Sequence, residues 1–280
     1  MRTVFSTITI VGVGLIGGSI GLAAKKRGVA GRIVGVGRDP QKLHDARRLG
    51  AIDEAATDLA EAVREADLVV FCTPVDRIVE QVTAAAQHAK KDAAFTDAGS
   101  TKAMIVRQVD AAALGGVRFV GSHPLAGSEK KGAEHADADL FVERTVVLTP
   151  TEQTSALGVV GGFWQSLGAR LRVMSPEEHD EALAFTSHLP HLLASALAGM
   201  LPDDWHDLAA SGFRDTTRVA AGDPEVWSPI FRHNRRAVLE SLDQLIVRLV
   251  RFRQALVADE VSEIDQFLAQ GKKVRDALGS

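Results

Sequence analysis

Four short polar segments carry most of the side chains that could do chemistry. Ser122-His123-Pro124-Leu125-Ala126-Gly127-Ser128-Glu129 places a histidine just after an apolar run at 117–121. An imidazole at the carboxyl edge of a parallel sheet, beside a redox cofactor, is a natural acceptor for the proton that a hydroxyl must lose as hydride departs. The alternative is a loop histidine with a structural or solvated role. Asp97-Ala-Gly-Ser100-Thr-Lys102 opens a helix, so the Ser100 hydroxyl either caps that helix or works on a substrate. Ser211-Gly-Phe-Arg214-Asp215-Thr-Thr-Arg218 gathers two arginines and an acid. It reads either as a surface ion-pair cluster or as a clamp that grips a carboxylate in bidentate fashion. Ser187-His188-Leu-Pro-His191 offers two histidines, but no cysteine or carboxylate spacing completes a ligand set, so no metal is expected.

A different kind of site precedes these. Gly12-Val-Gly14-Leu15-Ile16-Gly17 lies between a β-branched run at 8–12 and a helical pattern at 15–27. Gly12 permits a tight turn, Gly14 lets backbone approach a pyrophosphate, and Gly17 lets the helix pack on the strand. The helix N-terminus then offers unpaired N–H groups to phosphate. Glycines also serve ordinary turns, but this placement in a βαβ unit points to dinucleotide binding. The next strand ends in Val36-Gly37-Arg38-Asp39. An acid at such a tip holds the ribose hydroxyls of NAD, whereas an arginine pairs with the 2′-phosphate of NADP. With glycine at the tip and Arg38 and Asp39 following, either NAD or NADP remains open, as does a plain solvated turn before Pro40. Thr73-Pro74-Val75 follow a third strand at its carboxyl end, where open α/β sheets bind ligands. Cys72 beside them reads as a small buried residue.

These segments need a scaffold, and the first half supplies one. Strand-like runs at 8–12, 32–36, 67–72, 93–96, 117–121 and 145–149 alternate with helical spacing at 15–27, 43–49, 78–88 and 101–114. That alternation gives an α/β fold, an N-terminal Rossmann-type doubly wound parallel sheet. After about residue 173 nothing strand-like follows, and long helical segments at 176–200 and 229–258 make an all-α C-terminal domain. The expected division is 1–172 for the dinucleotide and 173–280 for substrate and dimerisation. Leu239, Leu242, Leu245, Ile246, Leu249, Phe252 and Leu256 form one stripe at three- and four-residue steps. It reads as an internal core seam or as a subunit interface.

The chain has 280 residues, 46% hydrophobic and 24% charged, a globular balance that excludes a disordered or fibrous protein. Its net charge of −4 argues against general nucleic-acid or membrane-surface partners. The single cysteine gives no internal disulfide. The glycine-rich stretch at 8–22 follows no basic segment and is too short to span a bilayer, so a cytoplasmic protein is expected.

Taken together, the segments at 11–19, 97–102, 121–129, 187–191, 213–218 and 223–227 resemble the prephenate/arogenate dehydrogenases, the cyclohexadienyl dehydrogenases of tyrosine biosynthesis. The resemblance runs in the same order from the first strand to about Asn234. It implies NAD(P)-dependent oxidative decarboxylation of prephenate to 4-hydroxyphenylpyruvate, or of arogenate to tyrosine. It further implies that His123 takes the ring hydroxyl proton and that Ser100 orients that hydroxyl. His191 and Arg218 would hold substrate carboxylate, with Asp215 or Asp180 fixing the arginine, and Glu129 and Trp227 would line or gate the pocket. Pairing through the helical domain is implied as well. No fused chorismate mutase or regulatory domain is expected. The rival readings are another dehydrogenase of Rossmann-plus-helical design and a non-catalytic dinucleotide sensor.

Overall fold

The computed structural model describes residues 5–112, 114–127, 130–151 and 156–279. The described residues divide into two compact units, one ending at Asn234 and the other starting at Arg235.

In the first unit the buried, largely β-branched runs form the central strands, and shorter, more exposed segments form the two edges. These are β1 (Phe5–Val11), β2 (Ala30–Val36), β3 (Glu54–Ala56), β4 (Leu68–Phe71), β5 (Ala94–Asp97), β6 (Arg118–Pro124), β7 (Thr145–Thr149) and β8 (Arg170–Val173). They make one sheet in the order β3-β2-β1-β4-β5-β6-β7-β8. The helices on its faces are α1 (Leu15–Lys26), α2 (Pro40–Arg48), α3 (Leu59–Ala62), α4 (Val75–Ala86), α5 (Ala103–Ala111) and α6 (Leu157–Ser166). One apolar layer gathers Ile8, Ile10, Ile20 and Ile33 with Phe163 and Trp164; the other gathers Val69, Phe71, Ile78, Val82 and Phe95. Strand order reverses at β1, and the carboxyl ends of β1 and β4 flank the crevice where such sheets bind ligands.

The doubly wound parallel sheet anticipated from sequence is present, with one antiparallel pair added. β6 runs parallel to β5 through Val120, and from Gly121 to Pro124 it pairs antiparallel with β7. The strand therefore continues past the end of β5, and His123 sits on it opposite Val147 instead of in a loop.

Two further elements differ from the sequence expectation. The helical stretch expected over 176–200 is α7 (Pro176–Leu183), a π turn at Ala184–His188, and α8 (Leu189–Gly199). Such insertions are common at functional sites. α7 starts on a capping box, with the Ser175 hydroxyl accepting from the Glu178 N–H and the Glu178 carboxylate accepting from the Ser175 N–H. After α9 (Ser211–Thr217), α10 (Pro224–His233) begins at the Asp223 cap and seats Ile230 in the apolar layer against α4.

The second unit is a helical pair, α11 (Arg235–Ala258) and α12 (Val261–Ala277). Phe252 and Phe267 meet at 4.7 Å between ring centroids, and Arg248 donates to Gln270 Oε1 at 3.0 Å. Leu239, Ile246, Leu249 and Leu256 of the apolar stripe stay exposed, while Leu242, Leu245 and Phe252 are half-buried. Among the described residues no helix is long and apolar enough to cross a membrane.

Candidate active site

The dinucleotide end is shaped by backbone. Gly12 follows β1 at φ +93°, and a Cβ there would lie 2.9 Å from the Cys72 carbonyl oxygen. A Cβ on Gly17 would meet the Gly12 carbonyl oxygen at 2.1 Å, so only glycine lets α1 start this close to the strand. A Cβ on Gly14 would project into open space. The first turn of α1, with Leu15 and Ile16, has no side-chain cap and no acid. Its N–H groups and positive dipole end thus suit a pyrophosphate, so the residues present fit a dinucleotide. Thr73 contributes its methyl to the same turn, and Pro74 and Val75 begin α4. Asp39 caps α2, accepting from Gln41 N–H at 2.9 Å and Lys42 N–H at 3.3 Å, and Arg38 beside it is exposed. Burial, with Asp97 nearby, pushes the Cys72 thiol up, so it stays protonated.

The other end is a cavity of about 810 Å³ whose wall includes Ser100, His123, Thr186, His188, Arg218 and Trp227. Gly127, three residues past β6, also lines it, and a Cβ there would lie 3.6 Å from Ile16 of α1. The glycine loop and the cavity are thus adjacent.

Behind the wall lies a buried polar network. The His123 and His179 rings approach at 2.9 Å, Nδ1 to Nε2, and His179 Nδ1–H donates to Asp180 Oδ1 at 2.8 Å. The Asp180 carboxylate also accepts from the backbone N–H of Lys102 at 2.7 Å and of Ala103 at 3.0 Å. It is therefore this carboxylate, from α7, that caps α5; no side chain within the α5 segment does so. Asn234 Nδ2 donates to the Asp180 carbonyl at 2.7 Å and to His188 Nδ1 at 3.0 Å. Lys102 is fully buried and paired with Asp97, whose carboxylate also accepts the N–H groups of Gly99 and Ser122. That pair ties β5 to the extended part of β6 and so fixes the strand position next to His123.

Burial lowers the basicity of these imidazoles. His123 is held well below the ordinary histidine value by desolvation, with His179, Lys102 and His188 adding repulsion. Desolvation also lowers His179 against the pull of Asp180, and brings His188 to about 4. The base candidate is therefore neutral, with a lone pair to offer, well below neutral pH.

The structure brings Ser100, His123, Arg218 and Trp227 onto one wall, with Ser100 free of the capping duty that was its alternative reading. His191 stacks face to face on Trp227, with centroids 3.6 Å apart and planes 8° apart, and its Nδ1 is buried without a partner. A Cβ on Gly222 would strike Trp227 Nε1 at 2.4 Å, so glycine is needed for that stack. Asp215 is exposed on α9 and is not part of the cavity wall. The Asp180 carboxylate, considered for fixing the arginine, accepts from His179 and from the start of α5. Glu129 lies outside the described residues. Among the described residues no group of three or more His, Cys, Asp or Glu could hold a metal ion.

Sequence reasoning missed His179, His188 as a cavity residue, and Asn234. Their contacts span 46 to 56 residues of chain, and the sole local sign was an adjacent His-Asp in the first helical turn after Pro176.

Comparison with known proteins places these features together. The model for the prephenate dehydrogenase nucleotide-binding domain matches residues 20–173, and that for the prephenate dehydrogenase dimerization domain matches 175–270. A cyclohexadienyl dehydrogenase from Zymomonas mobilis is 35% identical, covering 99% of this chain and 97% of that protein. A prephenate dehydrogenase from Aquifex aeolicus, solved with hydroxyphenyl propionate and NAD+, superposes with a TM-score of 0.91 at 33% identity, covering 98% of each chain. An arogenate dehydrogenase from Synechocystis gives 0.82 at 32% identity over 97% of this chain and 99% of that one.

Proposed function

The chain belongs to the prephenate dehydrogenase family, and from that premise we propose that it carries out NAD(P)-dependent oxidative decarboxylation of prephenate to 4-hydroxyphenylpyruvate, with conversion of arogenate to tyrosine as the companion activity. The observation that carries this reading is the meeting of Ser100, His123, Arg218 and Trp227 on one cavity wall beside a dinucleotide-type glycine loop.

Bound NAD(P) supplies the hydride acceptor. Gly12, Gly14, Leu15, Ile16 and Gly17 would hold its pyrophosphate, Arg38 and Asp39 would flank its adenosine end, and Thr73, Pro74 and Val75 would border it beyond the turn. With Asp39 engaged as a helix cap, Arg38 is the side chain suited to a 2′-phosphate.

His123 takes the proton of the ring hydroxyl as hydride leaves the same carbon, and Ser100 orients that hydroxyl. The resulting dienone loses its ring carboxylate as CO2. The electron pair left behind makes the ring a phenolate, which takes the proton back from His123, so the base is restored within each turnover. Arg218 grips the side-chain carboxylate, Trp227 forms the wall, and His191 keeps the indole in place by stacking. In this reading residues 1–172 hold the dinucleotide and supply Ser100 and His123 to the reaction, and 173–280 serve the substrate and a second subunit.

A homodimer formed through the helical segment follows from the dimerization-domain match and from the exposed leucines of α11. A cytoplasmic location suits a biosynthetic dehydrogenase with no membrane-spanning helix among its described residues. Reduced-nicotinamide absorbance, with prephenate or arogenate and NAD or NADP in all four combinations, tests the proposal. Turnover in at least one is expected. Cofactor binding without turnover in any would return the chain to the sensor reading.

A further inference from the structure

A general base must present a bare ring nitrogen to its substrate. A neutral imidazole has one N–H and one lone pair, and the free side chain adopts either tautomer. Nothing within His123 chooses between them. Its surroundings do, and the choice can be followed atom by atom from the far end of the network.

Asp180 accepts two backbone N–H groups at the start of α5, a pair of donors that fixes the carboxylate in place. An ionised carboxylate can only accept, so the proton in the 2.8 Å contact belongs to His179 Nδ1. Neutral His179 then has a lone pair at Nε2. The 2.9 Å contact to His123 can be a hydrogen bond only if His123 Nδ1 carries the proton. His123 Nε2 is left bare on a side chain that lines the cavity.

We propose that His179 and Asp180 are positioning residues that fix the base tautomer of His123 and stabilise the imidazolium it becomes during turnover. The inference rests on the reading of His123 as the base and extends it to two residues that touch no substrate.

The proton balance is closed. The hydroxyl proton passes to His123 Nε2, and the positive charge is felt along Nδ1–H to His179 and on to the Asp180 carboxylate. The proton then returns to the phenolate oxygen as CO2 departs. The other charged and titratable groups around this chain are Lys102 and Asp97, paired with each other, and His188, whose Nδ1 accepts from Asn234. Lys102, His188 and a protonated His179 would all repel a proton on His123. It is therefore a neutral His179, held by its Nδ1–H on the Asp180 carboxylate, that makes the imidazolium tolerable in a buried site. Turning the His123 ring over would place Cδ2 opposite His179 Nε2 and lose that hydrogen bond, which holds the ring in this orientation.

The test compares His179→Leu, His179→Gln and His123→Asn in the full-length enzyme. His179→Leu removes the acceptor for Nδ1–H, and kcat should fall about 10²-fold while KM for substrate stays near the wild-type value. His179→Gln offers a carbonyl to the same N–H and should recover part of the lost kcat without restoring the wild-type pH profile. If both His179 variants keep the wild-type kcat and pH profile while His123→Asn is inactive, the positioning role is overturned and the base survives. If His123→Asn is fully active, the base reading itself falls. A readout that needs no variant is the ¹⁵N spectrum of histidine-labelled wild-type enzyme. It should show Nδ1 protonated and Nε2 bare on both His123 and His179 above the pH at which they titrate. The opposite tautomer on His123 would overturn the proposal.

Discussion

The dinucleotide end and the histidine end of the cavity are held by different kinds of interaction. At the first, shape comes from backbone: a positive-φ glycine, a helix that starts against a strand, and N–H groups with no side-chain cap. At the second, side chains from β5, β6, α7 and α10 with its following Asn234 meet in a buried network with few alternatives for each proton. The first should therefore fail by steric intrusion and the second by leaving a buried polar group unpaired. That contrast can be broken by variants that behave in the opposite way.

The largest effect is expected at the buried ion pair. Lys102→Met leaves Asp97 buried without its counter-charge and should lower stability by about 3–5 kcal/mol in denaturant unfolding; an unchanged midpoint would mean that the pair does not hold the β5–β6 edge. Gly12→Val meets the Cys72 carbonyl in a backbone conformation that costs a branched residue about 1–3 kcal/mol. Its signature should be weakened dinucleotide binding by calorimetry, and unaltered affinity would detach the turn from the cofactor. Arg218→Ala should raise KM for prephenate about 10- to 100-fold with a smaller change in kcat, the scale of a lost charged hydrogen bond. An unaltered KM would count against the clamp.

The smallest effect is one of pH. His123, His179 and His188 have depressed folded values, so the unfolded chain binds more protons below about pH 6.5. Stability should hold above that pH and decline as pH falls from there towards about 4, where His188 titrates in the folded state. For the same reason the acid limb of kcat/KM should lie below the ordinary histidine value. A limb at or above it would mean that His123 is less buried than its surroundings indicate.

The same contrast explains what could be read from sequence. Gly12, Gly14 and Gly17 lie within six residues between a strand and a helix, so their roles follow from local order. The apolar runs of β1, β2, β4 and β5 were legible because each is buried on both faces. β3 and β8 were not, since one has three residues without a buried position and the other alternates arginine with leucine and valine at the sheet edge. α6 was hidden by its Gly-Gly pair, and it is fully buried Phe163 and Trp164 that secure it. His123 was visible as a histidine after a strand. That it sits on the strand, locked by β7 and by His179, depends on pairings 24 to 56 residues away. Position along the chain identified the reacting residues; the residues that set their protonation come from distant segments.

The account turns on His123, and the most direct measurement is reduced-nicotinamide formation by wild type and His123→Asn at saturating prephenate and cofactor. Deprotonation by one positioned base contributes about 10²–10⁴-fold. Turnover should fall by that factor, with cofactor binding intact and KM for prephenate little changed. A His123→Asn enzyme that turns over as fast as wild type would contradict the account, because no other residue on that wall has been assigned the proton.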